Sequence, residues 1–396
     1  MSKRRPRLTP LADRGPLRVM FVISSMPVGG AETLLVNLVR RLDRERFAPE
    51  LCCLQTLGPL GELLSNEIPT FAGLIGGKYD VGVAFRLAQL FRTRRIDAVV
   101  TVGAGDKMFW GRIAARIAGV PVVCSAIHST GWPDVIERPN RWRLLTRWTD
   151  AFIGVARPHG EHLIRQEGFP AAKVRVIPNG VDAKLFRPRL GERPGGPVRV
   201  LGMWRPQTEV RRGIKLLRET FDALRVRFGD EVSLELFGWD VPQGPSKAPS
   251  YARHHGVLTP RGVGDLMRSV DIVVEPSLYQ GFGLSGLEAM ASGAVLVSTA
   301  CRGVDEYATH DENALVVPHA DLAAAVGRAI EDRDLRARLR QAGIETAPRF
   351  AWPVIGARWA LYLADLAERR GARALVAGME RVVGRAREAL DKKDHG

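Results

Sequence analysis

The chain of 396 residues is poor in cysteine, with four, at Cys52, Cys53, Cys124 and Cys301, no CxxC pair and no regular spacing. A disulfide framework and a thiolate zinc site are therefore not expected, and a reducing cytosol is the economical compartment. The sequence also lacks any uninterrupted apolar run near the ~20 residues needed to cross a bilayer. Its basic, proline-containing start, Met1–Arg18, has no apolar core of the kind a signal peptide carries, so it reads as a solvated tail. Acidic charge is scarce in the first half only: residues 1–200 hold 31 Lys+Arg against 17 Asp+Glu, and residues 201–396 hold 27 against 26. Lysine is scarce throughout, nine against 49 arginines.

What remains is an ordinary globular composition, 45% hydrophobic and 26% charged, long enough for two domains. The net charge of +15, loaded into the first half, fits a surface that meets nucleic acid, a phospholipid headgroup or a phosphate-bearing substrate. An arginine-rich composition with no partner behind it is the plain alternative.

Short Val/Ile-rich runs alternate with helical stretches from Arg18 onward. Strands are predicted at Val19–Ser24, Glu50–Leu54, Ala98–Val102, Val120–Ile127, Ala151–Val155 and Val174–Pro178, with helices at Glu32–Leu42, Val83–Thr93 and Trp110–Ala118. Continuously apolar strands of this kind indicate a parallel sheet covered on both faces. A Pro/Gly-dense stretch from Asn179 to Pro197 reads as a linker, after which the alternation restarts. The second half carries strands at Arg199–Met203, Ser233–Phe237, Val270–Val274, Ala294–Ser298 and Leu315–Val317, and helices at Gly213–Phe228 and Leu287–Ser292. The fold class is α/β with two doubly wound, Rossmann-like domains. The expected limits are a tail over 1–17, an N-terminal domain over 18–190, a C-terminal domain over 191–350, and helices over 351–396 that partly pack back on the first domain. Leu375, Met379, Val382, Val383, Ala386 and Leu390 fall on one face of the last of these helices.

The most informative stretch is Glu275–Gly293, EPSLYQGFGLSGLEAMASG, which leaves a strand, turns through glycines and enters a helix bearing Glu288. Backbone N–H groups at that helix start favour a phosphate. Gly281, Gly283 and Gly286 match GxGxxG, a weak signal alone, and Asp305 or Glu306 is spaced to hold a ribose, so a dinucleotide site stays open. The stretch resembles the donor-site signature of the retaining glycosyltransferase family 4, EGFGxxxLEAMAxG. Four more segments match in order: Val28–Glu32 (VGGAE), Ile127–Ser129 (IHS), Pro178–Asp182 (PNGVD), and Arg205 followed by Arg212-Gly213, where the family has an Arg and a Lys-Gly. Together they span about residues 18–350. The resemblance implies the GT-B fold, two facing Rossmann-like domains, and transfer of a sugar from a nucleotide-diphosphate donor with retention.

Breaking the glycosidic bond of such a donor requires a stabilised diphosphate leaving group. Asp332 and Asp334 form a D-x-D but sit in a charged helical stretch, so no metal or other cofactor is expected. Guanidiniums are permanently charged and bidentate toward phosphate, and Arg205 and Arg212 are the expected clamp, with Arg211 as the rival of Arg212. Glu288 is placed to accept from a ribose diol. Gln280 stands where the family has a carboxylate; with His128, Arg205 and Arg212 it completes the expected catalytic set. Gly29, Gly30, Gly281, Phe282, Gly283 and Leu284 complete the donor site with Arg205, Arg212 and Glu288. The base is expected near Gly238–Trp239 and Val257–Thr259. Trp132, Trp142 and Trp148, interleaved with Arg138, Arg141, Arg143 and Arg147, suit an anionic lipid, a phosphate-linked acceptor, single-stranded nucleic acid or simple helix packing. The expected enzyme glycosylates a glycan or lipid-linked acceptor in surface polysaccharide or glycolipid assembly. It is cytoplasmic, peripheral at the anionic inner face of the membrane, and not partnered by nucleic acid, for which no module is recognised. A GT-B scaffold impaired in catalysis by Gln280 is the alternative.

Overall fold

The computed structural model describes residues 15–77, 79–104, 109–129, 143–189, 191, 195–205, 213–238 and 248–370. The chain forms two units, residues 1–178 with 352–396, and residues 179–351. Unit 1 is built on a seven-stranded parallel sheet in the order β3-β2-β1-β4-β5-β6-β7. Its strands are β1 (Leu17–Ile23), β2 (Phe47–Cys53), β3 (Thr70–Phe71), β4 (Ala98–Ala104), β5 (Val122–Ser129), β6 (Ala151–Gly154) and β7 (Val174–Val176). Its crossovers carry α1 (Gly30–Arg41), α2 (Gly58–Ser65), α3 (Val83–Thr93), α4 (Phe109–Ala118), α5 (Arg143–Thr146) and α6 (Arg157–Arg165).

Alternate residues of a strand face opposite sides of its sheet, and β1 shows the result. Val19, Phe21 and Ile23 join the core with Leu35 and Leu38 of α1, while Met20 and Val22 join Leu87 and Phe91 of α3 and Ala114 of α4. Both faces are covered, so the strand reads as one apolar run. Cys52, Cys53 and Cys124 are buried packing residues, and burial pushes the Cys53 and Cys124 thiols up to about 12.

Unit 2 repeats the plan with six parallel strands in the order β10-β9-β8-β11-β12-β13. These are β8 (Val198–Trp204), β9 (Val232–Gly238), β10 (Arg253–His254), β11 (Ile272–Glu275), β12 (Val295–Thr299) and β13 (Leu315–Val317). The helices are α7 (Ile214–Phe228), α8 (Pro260–Ser269), α9 (Leu284–Ala291), α10 (Leu322–Glu331) and α11 (Arg333–Thr346). In each sheet the strand order reverses beside a central pair, β1/β4 in unit 1 and β8/β11 in unit 2. Ligands of doubly wound sheets sit beyond the carboxyl ends of the strands at that switch point.

Two expectations change here. The stretch after Asn179 is not a free linker, and the boundary falls at Pro178 rather than at 190. Val181 N–H donates to Phe350 O at 2.8 Å, Arg268 donates to the carbonyls of Leu185 and Arg187 at 3.2 and 3.0 Å, and Phe186 is buried. Proline and glycine suggested slack, but these residues fasten to unit 2. After Ala351 the chain returns to unit 1 as α12 (Trp352–Arg369), whose Trp352, Ile355, Trp359 and Leu363 lie in the same core as α1 and β1. The face expected on Leu375–Leu390 lies outside the described residues.

Candidate active site

In unit 2 the two strands of the switch point each deliver a polar group at their carboxyl ends. Arg205 follows β8 directly, and Glu275 closes β11. The turn after Glu275 carries Gln280, Gly281 and Phe282 and enters α9 through Gly283, which takes the left-handed conformation at φ 84°, ψ 53°. That conformation favours glycine. Space demands it as well, because a Cβ there would lie 2.9 Å from Tyr307 Oη and 3.0 Å from Gln280 Oε1.

Beneath this turn lies a buried polar framework. The Glu275 carboxylate, 5% exposed, accepts from Ser277 Oγ at 2.5 Å and from Ser285 Oγ on the first turn of α9, so it ties both ends of the loop to the strand. Thr299 at the end of β12 donates to Ser277 O, and Tyr307 donates to Gly283 O. Phe282 packs its ring against Tyr307 and Phe350, at centroid distances of 5.3 and 6.1 Å. The ring expected at the donor is thus an anchor of the loop, because a benzyl group is driven under the turn while its backbone remains beside the helix start.

Glu288 sits on the second turn of α9, partly buried, and burial pushes its carboxyl up to about 8 while the Arg205 guanidinium pulls the other way. Gln280 is 8% exposed, and its Nε2 has no hydrogen-bond partner among the described residues. A buried amide N–H without a partner is costly, and a ligand oxygen would satisfy it. Arg205, Gln280 and Glu288 therefore offer a permanent cation, an amide and a titratable carboxyl around one helix start. This is a set suited to a phosphorylated, polyhydroxylated ligand.

Arg212 and Arg211 lie outside the described residues, as do Trp239, Trp132, Trp142, Arg138 and Arg141. Gly213 is described: it precedes α7 in the left-handed region at φ 63°, and a Cβ there would lie 2.1 Å from Pro276 O, so the start of α7 abuts the β11 turn. Near the expected base contacts, Thr259 accepts from Gly262 N–H as the cap of α8, and Gly238, at φ 123°, lies against Trp204 O. Asp332 of the D-x-D caps α11 by accepting from Leu335 N–H at 2.8 Å, a structural use.

Unit 1 places the remaining expected residues at the carboxyl ends of its own strands. Gly29 caps α1 in extended backbone, and a Cβ there would lie 2.3 Å from Glu32 Oε2, whose carboxyl folds back over the helix start. Burial raises the Glu32 pKa. Gly30 faces open space. A helix start already covered by a carboxyl suits a hydroxyl better than a phosphate. His128 is recessed at the end of β5, where burial lowers it to about 4 and neither ring nitrogen has a hydrogen-bond partner among the described residues. At neutral pH it is an uncharged imidazole, able to donate from one nitrogen and accept at the other.

Comparison with known proteins decides the family. The description Glycosyltransferase Family 4 matches residues 28–185, and Glycosyl transferases group 1 matches residues 199–332. The chain belongs to glycosyltransferase family 4. It is 26% identical over 305 residues to the putative glycosyltransferase EpsF of Bacillus subtilis, covering 70% of this chain and 77% of that one. It is likewise 26% identical over 306 residues to a UDP-Gal:alpha-D-GlcNAc-diphosphoundecaprenol alpha-1,3-galactosyltransferase of Escherichia coli, covering 68% and 76%. Its fold resembles that of Anabaena HepE, whose crystal structure holds UDP and glucose, with a TM-score of 0.71 at 20% identity over 88% of this chain and 99% of that one. The fold is GT-B, two Rossmann-like parallel-sheet domains.

In this family 4 glycosyltransferase the framework of Glu275, Ser277, Ser285, Thr299 and Tyr307 is not legible in the sequence. A serine flanking each end of a glycine-rich turn was the available signal, but its acceptor becomes visible only in three dimensions.

Proposed function

We propose that the protein transfers a sugar from a nucleoside-diphosphate sugar to a glycan or lipid-linked acceptor, with retention at the anomeric carbon and without a metal ion. The observation that carries this reading is the cluster at the switch point of unit 2. There Arg205 beyond β8 and the start of α9 beyond β11 supply fixed positive charge for a departing diphosphate. Glu288, once ionised, accepts from both hydroxyls of a ribose. The amide of Gln280 hydrogen-bonds the sugar without adding negative charge, so an oxocarbenium-like centre depends on the departing diphosphate itself. By family resemblance retention follows from attack on the face the diphosphate leaves. On unit 1, neutral His128 and the Gly29-Gly30 turn offer groups that hydrogen-bond hydroxyls.

The E. coli relative acts on a diphosphoundecaprenol-linked sugar and HepE binds UDP, which supports a UDP-type donor and a lipid-linked acceptor. On this reading the reaction takes place at the cytoplasmic membrane face, in surface polysaccharide or glycolipid assembly. Among the described residues no helix is long and apolar enough to cross a membrane. Incubating the protein and a lipid extract with UDP-, GDP- and dTDP-sugars tests the reading. Transfer from an α-linked donor should give an α-linked product by NMR, at a rate unchanged by a chelator; a β-linked product ends the retaining assignment. Gln280, in the place of a family carboxylate, favours one second reading, a binding scaffold without turnover. A scaffold stays inactive both as it is and as Gln280→Glu.

A further inference from the structure

The net charge of this protein belongs to one unit. Unit 1 holds 35 Lys+Arg against 21 Asp+Glu, and unit 2 holds 23 against 22. On unit 1 the layer formed by α3 and α4 carries Arg86, Arg92 and Arg116, with Arg112 buried beneath, and no acidic residue. The same layer opens with large apolar side chains in solvent: Tyr79 is 84% exposed, Val81 66% and Phe85 68%. Phe85 and Arg92, seven residues apart on α3, share its outer face. Arg92 donates to Ile117 O at the end of α4, and Arg116 donates to Trp148 O. Ile117 and Trp148, 36% and 44% exposed, thus continue one surface from the tip of α3 across the end of α4.

The charges on this surface are not all consumed locally. Arg86 pairs with Asp80, Arg94 with Glu50 at 2.8 Å and Arg116 with Asp150 at 3.3 Å, but Arg92, Arg95 and Arg147 are exposed with no acid bonded to them among the described residues. Aromatic and aliphatic groups projecting from a cationic face match the boundary of an anionic bilayer. Apolar tips enter the acyl region there while guanidiniums meet phosphates. An acidic protein partner would satisfy the arginines but leave Tyr79, Val81 and Phe85 needing a preformed apolar pocket.

We propose that the outer face of α3, with the preceding Tyr79–Val81 turn and the adjoining Ile117 and Trp148, is the surface by which this protein docks on an anionic lipid bilayer. The proposal rests on the membrane-side reading of function above and names its surface. It assigns the unpaired arginines of this face to docking rather than to chemistry.

The test is co-sedimentation of the full chain with phosphatidylcholine vesicles, with and without phosphatidylglycerol, at about 150 mM salt. The same preparations are assayed for thermal stabilisation by nucleoside diphosphates and for mass in solution. The wild type should bind the phosphatidylglycerol vesicles preferentially. Replacing Tyr79, Val81 and Phe85 together by serine should lower binding about tenfold or more while leaving nucleotide stabilisation unchanged. Arg92→Gln with Arg147→Gln should weaken binding to anionic vesicles only. Undiminished binding by the serine variant overturns the assignment, as does a wild type indifferent to phosphatidylglycerol. A wild-type dimer abolished by the serine variant, without lipid binding, would make this face a self-interface and also overturn it. Vesicle binding without nucleotide stabilisation would defeat the donor-site reading and leave the docking surface standing.

Discussion

Replacing Glu288 by glutamine should stabilise the unliganded protein, increasingly so as the pH rises. In the fold this carboxyl keeps its proton until about pH 8, because burial penalises the anion more than Arg205 relieves it, whereas its usual value is 4.5. Between those two values the unfolded chain is ionised while the folded one stays neutral, so stability falls with each unit of pH and levels off above about 8. The full shift corresponds to a ceiling of about 5 kcal/mol. Partial exposure of the side chain screens the penalty, and about 2 kcal/mol is the expected effect. For a unit the size of 179–351 this is roughly 4–8 °C in Tm. Thermal melts of wild type and Glu288→Gln from pH 5 to 9 read it directly. The amide does not titrate, so the difference in Tm should widen from pH 5 to 8 and then flatten. A difference that is constant with pH, or that narrows, refutes the burial argument for Glu288.

Three further outcomes follow from the same framework. Tyr307→Phe deletes the buried bond to Gly283 O and should cost about 1–2 kcal/mol in chemical denaturation, with a larger proportional loss in sugar transfer than in Tm. Gly213→Ala forces a Cβ to within 2.1 Å of Pro276 O at a left-handed φ, so nucleoside-diphosphate affinity by calorimetry should fall at least tenfold and Tm should drop. Trp359→Ala removes a side chain 2% exposed from the unit 1 core and should cost roughly 3–5 kcal/mol, read as a lower denaturant midpoint. That loss should leave the intrinsic nucleotide affinity of unit 2 unchanged.

The strands were legible from the sequence because a parallel strand covered on both faces is a continuous apolar run, as in Val198–Trp204 and Val295–Thr299. Several helices were not. Those at Gly58–Ser65, Arg157–Arg165 and Pro260–Ser269 each contain glycine and begin near a proline, so they resemble loops, although proline is favoured in a first helical turn. The two-residue strands at Thr70–Phe71 and Arg253–His254 are too short to show a pattern.

The candidate site divides in the same way. Gln280, Gly283 and Glu288 lie within nine residues of one another, and their spacing on a turn and a helix start could be read directly. Tyr307 and Thr299 bond partners 24 and 22 residues away, and those bonds exist only because the segments after β11 and β12 are neighbours in the sheet. Phe282 was expected at the ligand because it sits inside the motif, yet its ring packs beneath the turn. Asn179–Pro188 looked like slack chain because proline and glycine mark both linkers and tight surface docking.

The most direct test of the central claim is calorimetric titration of UDP, GDP and dTDP into the wild type and into Arg205→Ala. Saturable binding of one base in preference to the others is expected, weakened at least tenfold when the guanidinium is removed from the diphosphate. Equal affinity of the two proteins, or no binding of any nucleotide, would contradict a donor site at the β8/β11 switch point.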